Sequence, residues 1–359
     1  MPLIETLNKK GRIAGIIAKP NSINYTTYEH LSDKYKFLKT AKEDLLVPGV
    51  AANLVMDSIR PDEKAIIIDI GGYFAGALSS LNNVSNLAGI VEDTENGLQK
   101  YERALSHLPN NNIPVFSIAR SRTKDFEDYL IGRSIALSAL EVLRKEKVEK
   151  WKNKNIGVIG FGEVGRGIAF YLKDRYELNV SVYDRNPELA EHIALSGFMT
   201  VSRAKILQNS DILFCATGHA SLFDEDIQFI KKDCCIASCT SRDDEFGFKS
   251  FDIMNGTISP RNTSSINGIH FINCGNAVNF MRPDRLERIL SPYIYLTHSA
   301  LIESAAQIDT GKDLKTTEIN MLDKDREQKI ITDFRCGLKN PNKNSLFINR
   351  FIASKIADR

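Results

Sequence analysis

The glycine-rich stretch over residues 156–165, Ile-Gly-Val-Ile-Gly-Phe-Gly-Glu-Val-Gly, constrains the fold of this chain more than any other part. Its first four residues predict a buried parallel strand, and a helical pattern follows its last glycine. A Gly-x-Gly-x-x-Gly turn between such a strand and helix is typical of dinucleotide binding, because each glycine has a steric task. Gly160 makes the tight turn, Gly162 lets a pyrophosphate approach the backbone, and Gly165 lets helix and strand pack closely.

The helix after this turn would offer its positive dipole end and the backbone N–H groups of Glu163 and Val164 to the phosphates. The next predicted strand ends at Asp184, which lies 19 residues after the last glycine of the motif. A carboxylate there accepts a hydrogen bond from the adenosine ribose and repels a 2′-phosphate, so Asp184 favours NAD as the cofactor. Arg185 is an opposite signal, since an arginine can hold that phosphate. A plain α/β turn without a ligand is the alternative.

Composition excludes several classes of protein. At 359 residues the chain is long enough for two domains, and its hydrophobic content of 43% is ordinary for a soluble protein. A net charge of +2 gives no reason to expect nucleic acid, and no apolar run approaches membrane-spanning length. The six cysteines form no Cys-x-x-Cys pair, which favours reduced thiols over a metal site. We therefore expect a cytoplasmic protein with a small-molecule substrate, no metal, and no nucleic-acid or membrane partner.

Strand and helix patterns alternate along the chain, which predicts an α/β fold with parallel sheets. Strands are expected at residues 13–18, 64–70, 87–91, 113–118, 179–184, 211–216, 234–239 and 270–274. Helices are expected at residues 28–43, 51–59, 97–108, 130–148, 166–176, 203–209, 283–308, 323–334 and 346–356, with a kink at Pro292.

Two domains follow from this pattern. Residues 149–294 are expected to form an NAD-binding Rossmann domain with a doubly wound parallel sheet. Residues 1–148 and 295–359 are expected to form a second α/β domain that binds the substrate. The boundary is placed where a long apolar helix gives way to the polar linker 149–155. The polar tail 310–359 suggests no role of its own.

Several ordered stretches between residues 64 and 300 resemble the S-adenosylhomocysteine hydrolases. Residues 89–97, Gly-Ile-Val-Glu-Asp-Thr-Glu-Asn-Gly, look like that family's Gly-Ile-x-Glu-Glu-Thr-Thr-Thr-Gly. Residues 121–124, Ser-Arg-Thr-Lys, look like its Ser-Val-Thr-Lys, and the glycine motif resembles its Gly-Tyr-Gly-Asp-Val-Gly. Residues 216–218 and 271–275 are similar to its Thr-Thr-Gly and Leu-Val-Asn-Leu-Gly elements. No single match is specific, but their order and spacing are.

The resemblance implies a cofactor and a type of chemistry. In that family a tightly held NAD oxidises the ribose 3′-hydroxyl of the substrate, which permits elimination and addition of water before the hydride returns. By resemblance, Thr94 and Asn273 would lie near the nicotinamide end, and Thr217 and Gly218 along the dinucleotide. The resemblance also implies a homo-oligomer, which the apolar helical pattern around residues 289–302 favours as well.

Oxidation of a hydroxyl needs a base within hydrogen-bond reach, and Lys124 is the candidate, since a buried lysine can lose its proton near neutral pH. Asp128 follows four residues later, so on a helix that begins at Lys124 it could orient the ammonium group. Asp93 stands where the family has a functional glutamate. The alternatives are a solvated ion pair for Lys124 and Asp128, and a strand-end carboxylate in a turn for Asp93.

Two positions depart from the family pattern. Ile70 replaces the second aspartate of its Asp-Asp-Gly-Gly, and Ser241 replaces the histidine of its Gly-His-Phe-Asp. Neither side chain can shuttle a proton near neutral pH, so hydrolase activity is not expected. The acidic run at residues 243–245 is typical of a solvated loop. The sequence therefore predicts an NAD-dependent enzyme that oxidises a hydroxyl of a small nucleoside- or sugar-like substrate. The alternative is a non-catalytic NAD-binding protein that kept the fold.

Overall fold

A computed structural model of the protein describes residues 2–19, 23, 25–145, 153–240, 245–248, 263–281, 293–311 and 313–337. The predicted helix at 346–356, the kink at Pro292, Ser241 and most of the linker 149–155 lie outside these residues.

The α-helices of the described residues are α1 (Pro2–Lys10), α2 (Tyr25–Ser32), α3 (Val50–Met56), α4 (Leu78–Leu81), α5 (Glu95–Ser106), α6 (Asp125–Lys145), α7 (Glu163–Tyr176), α8 (Leu189–Leu195), α9 (Arg203–Asn209), α10 (Ile294–Thr310) and α11 (Lys324–Gly337). The strands are β1 (Ala65–Asp69), β2 (Leu87–Glu92), β3 (Val115–Ser117), β4 (Ile156–Ile159), β5 (Val180–Tyr183), β6 (Met199–Thr200), β7 (Ile212–Cys215), β8 (Cys235–Ser238), β9 (Thr263–Ile266), β10 (Ile269–Ile272) and β11 (Ile319–Met321). None of the helices in the described part of the chain has the length and apolar character needed to cross a bilayer.

The chain divides into two compact units, of which the first comprises Met1–Lys124 and Pro292–Asn340. Its sheet has four parallel strands in the order β1-β2-β3-β11. Neighbouring residues of β2 point to opposite faces, as the strand period of two requires. Ile90 packs in one apolar cluster with helices α3, α4 and α5, and Val91 packs in another with α10. Both faces of the sheet are therefore covered, as is usual for parallel sheets.

Helix α10 is buried within this first unit. Ala300, Leu301 and Ile308 belong to the same apolar cluster as Val91 of the sheet. A Cβ added at Gly89 would lie 2.8 Å from the Ile308 side chain, so this glycine lets the helix approach the strand. The sheet of its own unit thus covers one apolar face of α10, so the apolar residues on that face do not call for a second copy of the chain.

The second unit contains the seven-stranded sheet and spans Asp125–Ser291 among the residues described. The strand order is β6-β5-β4-β7-β8-β10-β9, with all pairs parallel except that of β9 with β10. Reading from β6 to β10, this is the Rossmann order 3-2-1-4-5-6, which reverses direction between β4 and β7. The predicted fold class, a doubly wound Rossmann sheet with a second α/β domain from both chain ends, is confirmed.

The structure places the domain boundary earlier than the predicted residue 148. Helix α6 belongs to the second unit because it packs backbone against backbone on α7. A Cβ added at Gly132 would lie 2.7 Å from the Ile168 nitrogen, and one added at Gly167 would lie 3.1 Å from Tyr129 Cα. Glycines on both helices permit this approach, and sequence periodicity alone does not show which partner such a helix chooses.

Two local predictions differ from the structure, and one strand was not predicted. The predicted strand 13–18 forms only an isolated bridge between Ile16 and Phe37, and the predicted helix 28–43 is limited to Tyr25–Ser32. Strand β11 was not predicted, because it is short and contains a polar residue. Its Asn320 side chain donates to the Val115 carbonyl at 3.1 Å, so tertiary contacts compensate for the weak strand pattern.

Candidate functional site

The glycine motif lies at the reversal point of the seven-stranded sheet, directly after β4. Gly160 has a φ of +94°, and an added Cβ would lie 2.5 Å from the Ala216 oxygen, so only glycine fits. A Cβ at Gly165 would overlap the Gly160 carbonyl. A Cβ at Gly162 would meet nothing within 4 Å. The first and third glycines therefore shape the turn, and Gly162 leaves open space beside it.

Helix α7 begins at this open space. Its N-cap is Gly162, which has a φ of −69° and no side chain that could cap the helix. Glu163, Val164 and Gly165 form the first turn, so their N–H groups have no partner within the helix. This start combines free space, N–H groups that have no acceptor within the helix itself, and the positive end of the helix dipole, which fits a pyrophosphate.

Asp184 follows β5 and lies beside the motif. Its Oδ2 accepts a hydrogen bond from the Phe161 nitrogen at 2.7 Å, and its Oδ1 accepts one from the Asn186 nitrogen at 2.8 Å. Each carboxylate oxygen has a further lone pair, so the group can still accept from a ribose hydroxyl. The residues predicted for the adenosine half of a dinucleotide thus come together, and the chain fits this cofactor.

The turn after β7 carries Thr217 and Gly218, and a carboxylate holds it in place. The Glu245 carboxylate accepts from the Thr217 nitrogen at 2.9 Å and from the Gly218 nitrogen at 3.1 Å. Gly218 has a φ of +63°, and an added Cβ there would meet nothing within 4 Å. The amides of this turn therefore face Glu245, while the Cα of Gly218 faces open space. Glu245 is fully buried, so its predicted place in a solvated loop is wrong.

Asn273 follows β10, at the same edge of the sheet. It adopts a φ of +54°, and Cys274 next to it has a φ of +51°. The Asn273 Nδ2 donates to the Ala277 carbonyl at 3.0 Å, which fixes the side chain. Two successive non-glycine residues in the left-handed region are uncommon, and such strain concentrates at functional sites.

The first unit contributes a buried ion pair at the carboxyl edge of its own sheet. Lys124 Nζ lies 3.1 Å from Asp93 Oδ1, and the two side chains are 7% and 13% exposed. This burial argues against the solvated pair that was the alternative for Lys124. Helix α6 begins one residue later at Asp125, so Lys124 precedes it, and Asp128 lies in its first turn within the second unit.

Sequence reasoning missed the residue that positions Asp93. Glu92, fully buried at the end of β2, accepts from the Gly71 and Gly72 nitrogens, both at 2.9 Å, and from the Thr94 nitrogen at 2.7 Å. The Thr94 hydroxyl also donates a hydrogen bond to Glu92 at 2.7 Å. The same hydroxyl caps α5 by accepting a hydrogen bond from the Gly97 nitrogen. The available signal was a carboxylate at the end of an apolar strand.

A second buried acid lies beside Glu92. Asp69 ends β1, accepts from the Tyr73 and Phe74 nitrogens at 3.1 and 3.0 Å, and accepts from the Tyr101 hydroxyl at 2.7 Å. Burial, and then the charge of Asp69, raise the pKa of Glu92 to about 7. The loop that carries Asp93 is therefore held by hydrogen bonds to the Glu92 carboxylate, which titrates near neutral pH.

The C-terminal helix α11 supports the loop before Lys124. Glu327 accepts from the Ser121 hydroxyl at 2.5 Å and from the Arg122 nitrogen at 2.8 Å. The Lys124 nitrogen in turn donates to the Ser121 carbonyl at 3.0 Å. The tail to which sequence analysis gave no role thus helps to fix the backbone at Lys124.

Comparison with known proteins supports this description of the second unit. Residues 133–234 match the family model described as D-isomer specific 2-hydroxyacid dehydrogenase, NAD binding domain. The matched range begins inside α6, in agreement with the place of that helix in the second unit. The predicted NAD cofactor is confirmed: this part of the chain is an NAD-binding domain of the dehydrogenase type.

Individual known proteins match larger parts of the chain. The adenosylhomocysteinase of Sulfolobus acidocaldarius is 30% identical over 178 residues, which are 48% of this chain and 40% of that protein. The chain thus matches less than half the length of this relative. Among solved structures, a transhydrogenase from Sinorhizobium meliloti has a TM-score of 0.39 at 12% identity, covering 84% of this chain and 90% of that one. A phosphoglycerate oxidoreductase from Vibrio cholerae O395 has a TM-score of 0.44 at 11% identity, covering 76% and 98%.

Substitution of Gly162 tests the cofactor site. Gly162→Ala should leave the stability unchanged, because the φ of −69° suits alanine and the added methyl meets no atom of the chain. It should weaken NAD binding about 10- to 100-fold, since an intruding methyl group typically costs about 1–3 kcal/mol. Calorimetric titration with NAD measures this change, and Gly11→Ala, which also fills open space, is the control. Unchanged affinity for NAD would place the pyrophosphate elsewhere.

The raised pKa of Glu92 predicts a pH dependence of stability. With a folded pKa of about 7 and an ordinary value of about 4.3, the folded state binds more protons between these values than the unfolded state. The stabilisation from this group is complete below about pH 4 and is lost as pH rises through about 7. The free energy of unfolding of the wild type relative to Glu92→Gln should therefore fall between pH 5 and pH 8.

Urea unfolding at the two pH values measures this difference. A fall of more than about 1.4 kcal/mol, the equivalent of one pKa unit, is expected. Glu318→Gln, which replaces an exposed carboxylate of the same unit, should follow the wild type at both pH values. The contrary result is a difference in free energy of unfolding between the wild type and Glu92→Gln that is the same at pH 5 and pH 8. That result would show that Glu92 does not take up a proton in this range.

Proposed function

We propose that this protein is an NAD-dependent enzyme that oxidises a hydroxyl group of a small nucleoside- or sugar-like molecule. The NAD-binding domain of dehydrogenase type supports the redox part of the proposal. The buried pair of Lys124 and Asp93 is the single observation that carries the catalytic part. The partial likeness to an adenosylhomocysteinase is the reason to propose a nucleoside-like substrate.

A buried ion pair is a costly feature for a fold to maintain. Taking a lysine and an aspartate out of water costs several kcal/mol per ion, and a pair of apolar residues would often serve stability equally well. The Lys124–Asp93 pair lies where the strands of a parallel sheet end, which is the edge at which α/β proteins bind their ligands. We infer that the pair serves chemistry rather than stability.

The proposed roles of the two side chains follow from their geometry. An alcohol becomes a carbonyl when its hydroxyl loses a proton and its carbon loses a hydride. Lys124 Nζ, as the neutral amine, accepts the hydroxyl proton, and Asp93 Oδ1, at 3.1 Å, orients the amine and stabilises the ammonium that forms. NAD, when bound, supplies the acceptor for the hydride. Glu92 positions Asp93 by accepting a hydrogen bond from the amide of Thr94, the residue that follows Asp93.

Hydrolysis of the substrate is not part of the proposal. Ile70 is half exposed beside the Gly71–Gly72 turn, and its apolar side chain can neither donate nor accept a proton. Elimination and addition of water need further acids and bases near the substrate, and loss of one typically lowers the rate about 100- to 10,000-fold. A non-catalytic NAD-binding protein that kept the fold is the second candidate, which the apolar side chain of Ile70 favours.

Replacement of Lys124 tests the proposal. The NAD-loaded protein is mixed with nucleosides, S-adenosylhomocysteine and sugars, and the absorbance of reduced nicotinamide is followed. Lys124→Met should reduce the rate of oxidation about 100- to 10,000-fold, because the proton acceptor is lost, while NAD still binds. The control is Lys329→Met, which removes an exposed lysine paired with Asp333 at 2.5 Å and should keep the wild-type rate.

Two outcomes would contradict the proposal. Equal rates for Lys124→Met and the wild type would remove Lys124 from the chemistry. No reduction of bound NAD by any compound, with NAD demonstrably bound, would favour the non-catalytic alternative.

A further inference from the structure

Glu245 joins two loops of the NAD-binding domain at the carboxyl edge of its sheet. Its carboxylate receives the Thr217 and Gly218 amides of the loop after β7 and the Thr240 hydroxyl, at 2.7 Å, of the loop after β8. Its own backbone carbonyl accepts from the Ser221 nitrogen at 2.7 Å. The residue is 0% exposed, so both loops are tied to one buried group.

The contacts of Glu245 suit an ionised carboxylate. A backbone amide can only donate, and two of them point at the carboxylate oxygens. A hydroxyl group, from Thr240, completes the set. Within the described residues, the groups that donate to the Glu245 carboxylate are backbone amides and hydroxyls, which carry no formal charge.

The charge of Glu245 acts on the ends of both strands. Burial raises the pKa of the Cys215 thiol, at the end of β7, well above its usual value, and the charge of Glu245 raises it further. Cys239, just after β8, is affected in the same way and by the same two causes. The field of this carboxylate therefore extends across the carboxyl edge of β7 and β8.

This edge belongs to the nicotinamide half of the domain. A Rossmann sheet has two mononucleotide-binding halves, and the cofactor lies across the point where the strand order reverses. Strands β4, β5 and β6 form the half that carries Asp184, which suits the adenosine ribose. Strands β7, β8 and β10 form the other half, which leaves the nicotinamide to the side of Glu245.

The two redox forms of the cofactor differ in charge at this end. The nicotinamide ring carries a positive charge in NAD⁺ and none in NADH, whereas the remainder of the molecule is the same. Opposite charges attract inside a protein more strongly than in water, and a tenfold preference for the oxidised form corresponds to about 1.4 kcal/mol of such attraction. A buried anion in the nicotinamide half thus discriminates between the two forms.

We propose that Glu245 is the residue that makes this site bind NAD⁺ more tightly than NADH. The carboxylate positions the Thr217–Gly218 turn and, through its charge, stabilises the oxidised ring. The site then holds the cofactor as NAD⁺, which can accept a hydride. After the hydride has been accepted, the weaker binding of NADH favours transfer of the hydride back to a substrate or release of NADH. This property depends only on NAD binding, so it is independent of the substrate and of Lys124.

The test measures the dissociation constants of NAD⁺ and NADH separately by titration calorimetry. The wild-type protein should bind NAD⁺ about tenfold more tightly than NADH. In Glu245→Gln, which has nearly the same shape and no charge, the ratio of the NADH constant to the NAD⁺ constant should fall about tenfold. Loss of loop geometry alone would weaken both forms equally and would leave this ratio unchanged.

Two control variants complete the experiment. Asp184→Asn acts in the adenosine half and should weaken both forms while keeping the wild-type ratio. Glu245→Asp keeps the charge and should keep most of the preference for NAD⁺. A wild-type protein that binds NADH as tightly as NAD⁺, or a Glu245→Gln ratio equal to that of the wild type, would overturn the proposal. If Glu245→Gln fails to fold, Glu245→Asp still tests the role of the charge, and a wild-type protein without a preference for NAD⁺ still overturns the proposal.

Discussion

Each unit of this protein depends on one buried glutamate that satisfies the backbone of a glycine-containing turn. Glu92 accepts from the amides of Gly71 and Gly72, and Glu245 accepts from those of Thr217 and Gly218. Both turns follow a parallel strand at its carboxyl end and contain glycines with positive φ angles, namely Gly71 and Gly72 in one turn and Gly218 in the other. A buried amide without a partner costs about 1–3 kcal/mol, and one carboxylate removes that cost at two or more positions.

These hydrogen bonds fix the shape of each loop, and each glutamate places a carboxylate group inside the protein. In the first unit the charge lies next to the Lys124–Asp93 pair, and burial, followed by the charge of Asp69, raises the pKa of Glu92 to about 7. In the second unit the charge lies at the carboxyl edge of β7 and β8, where we propose that it acts on the nicotinamide end of the cofactor. Groups that satisfy the backbone would then also set the electrostatics of the proposed sites.

The sequence predicted those features that are encoded locally. The glycine motif, the apolar strands and Asp184 specified the Rossmann sheet and the cofactor, since each depends on contacts within a few tens of residues. The contact between Lys124 and Asp93 was not predicted: helical spacing drew attention to Asp128, and Asp93 lies 31 residues before Lys124 in the chain. Glu245 was expected in a solvated loop because consecutive acids usually are, and its burial follows from long-range contacts with Thr217. Buried polar groups are the features that a single sequence shows least.

The nucleotide that the protein carries tests this account most directly. The purified protein is denatured, and the released small molecules are identified by mass spectrometry and by their ultraviolet spectrum. We expect the released nucleotide to be the non-phosphorylated NAD, mainly in its oxidised form. The affinity of the protein for added NAD should be well above its affinity for NADP. Release of NADP, or a protein that binds neither nucleotide at millimolar concentration, would contradict the assignment of the glycine motif and Asp184.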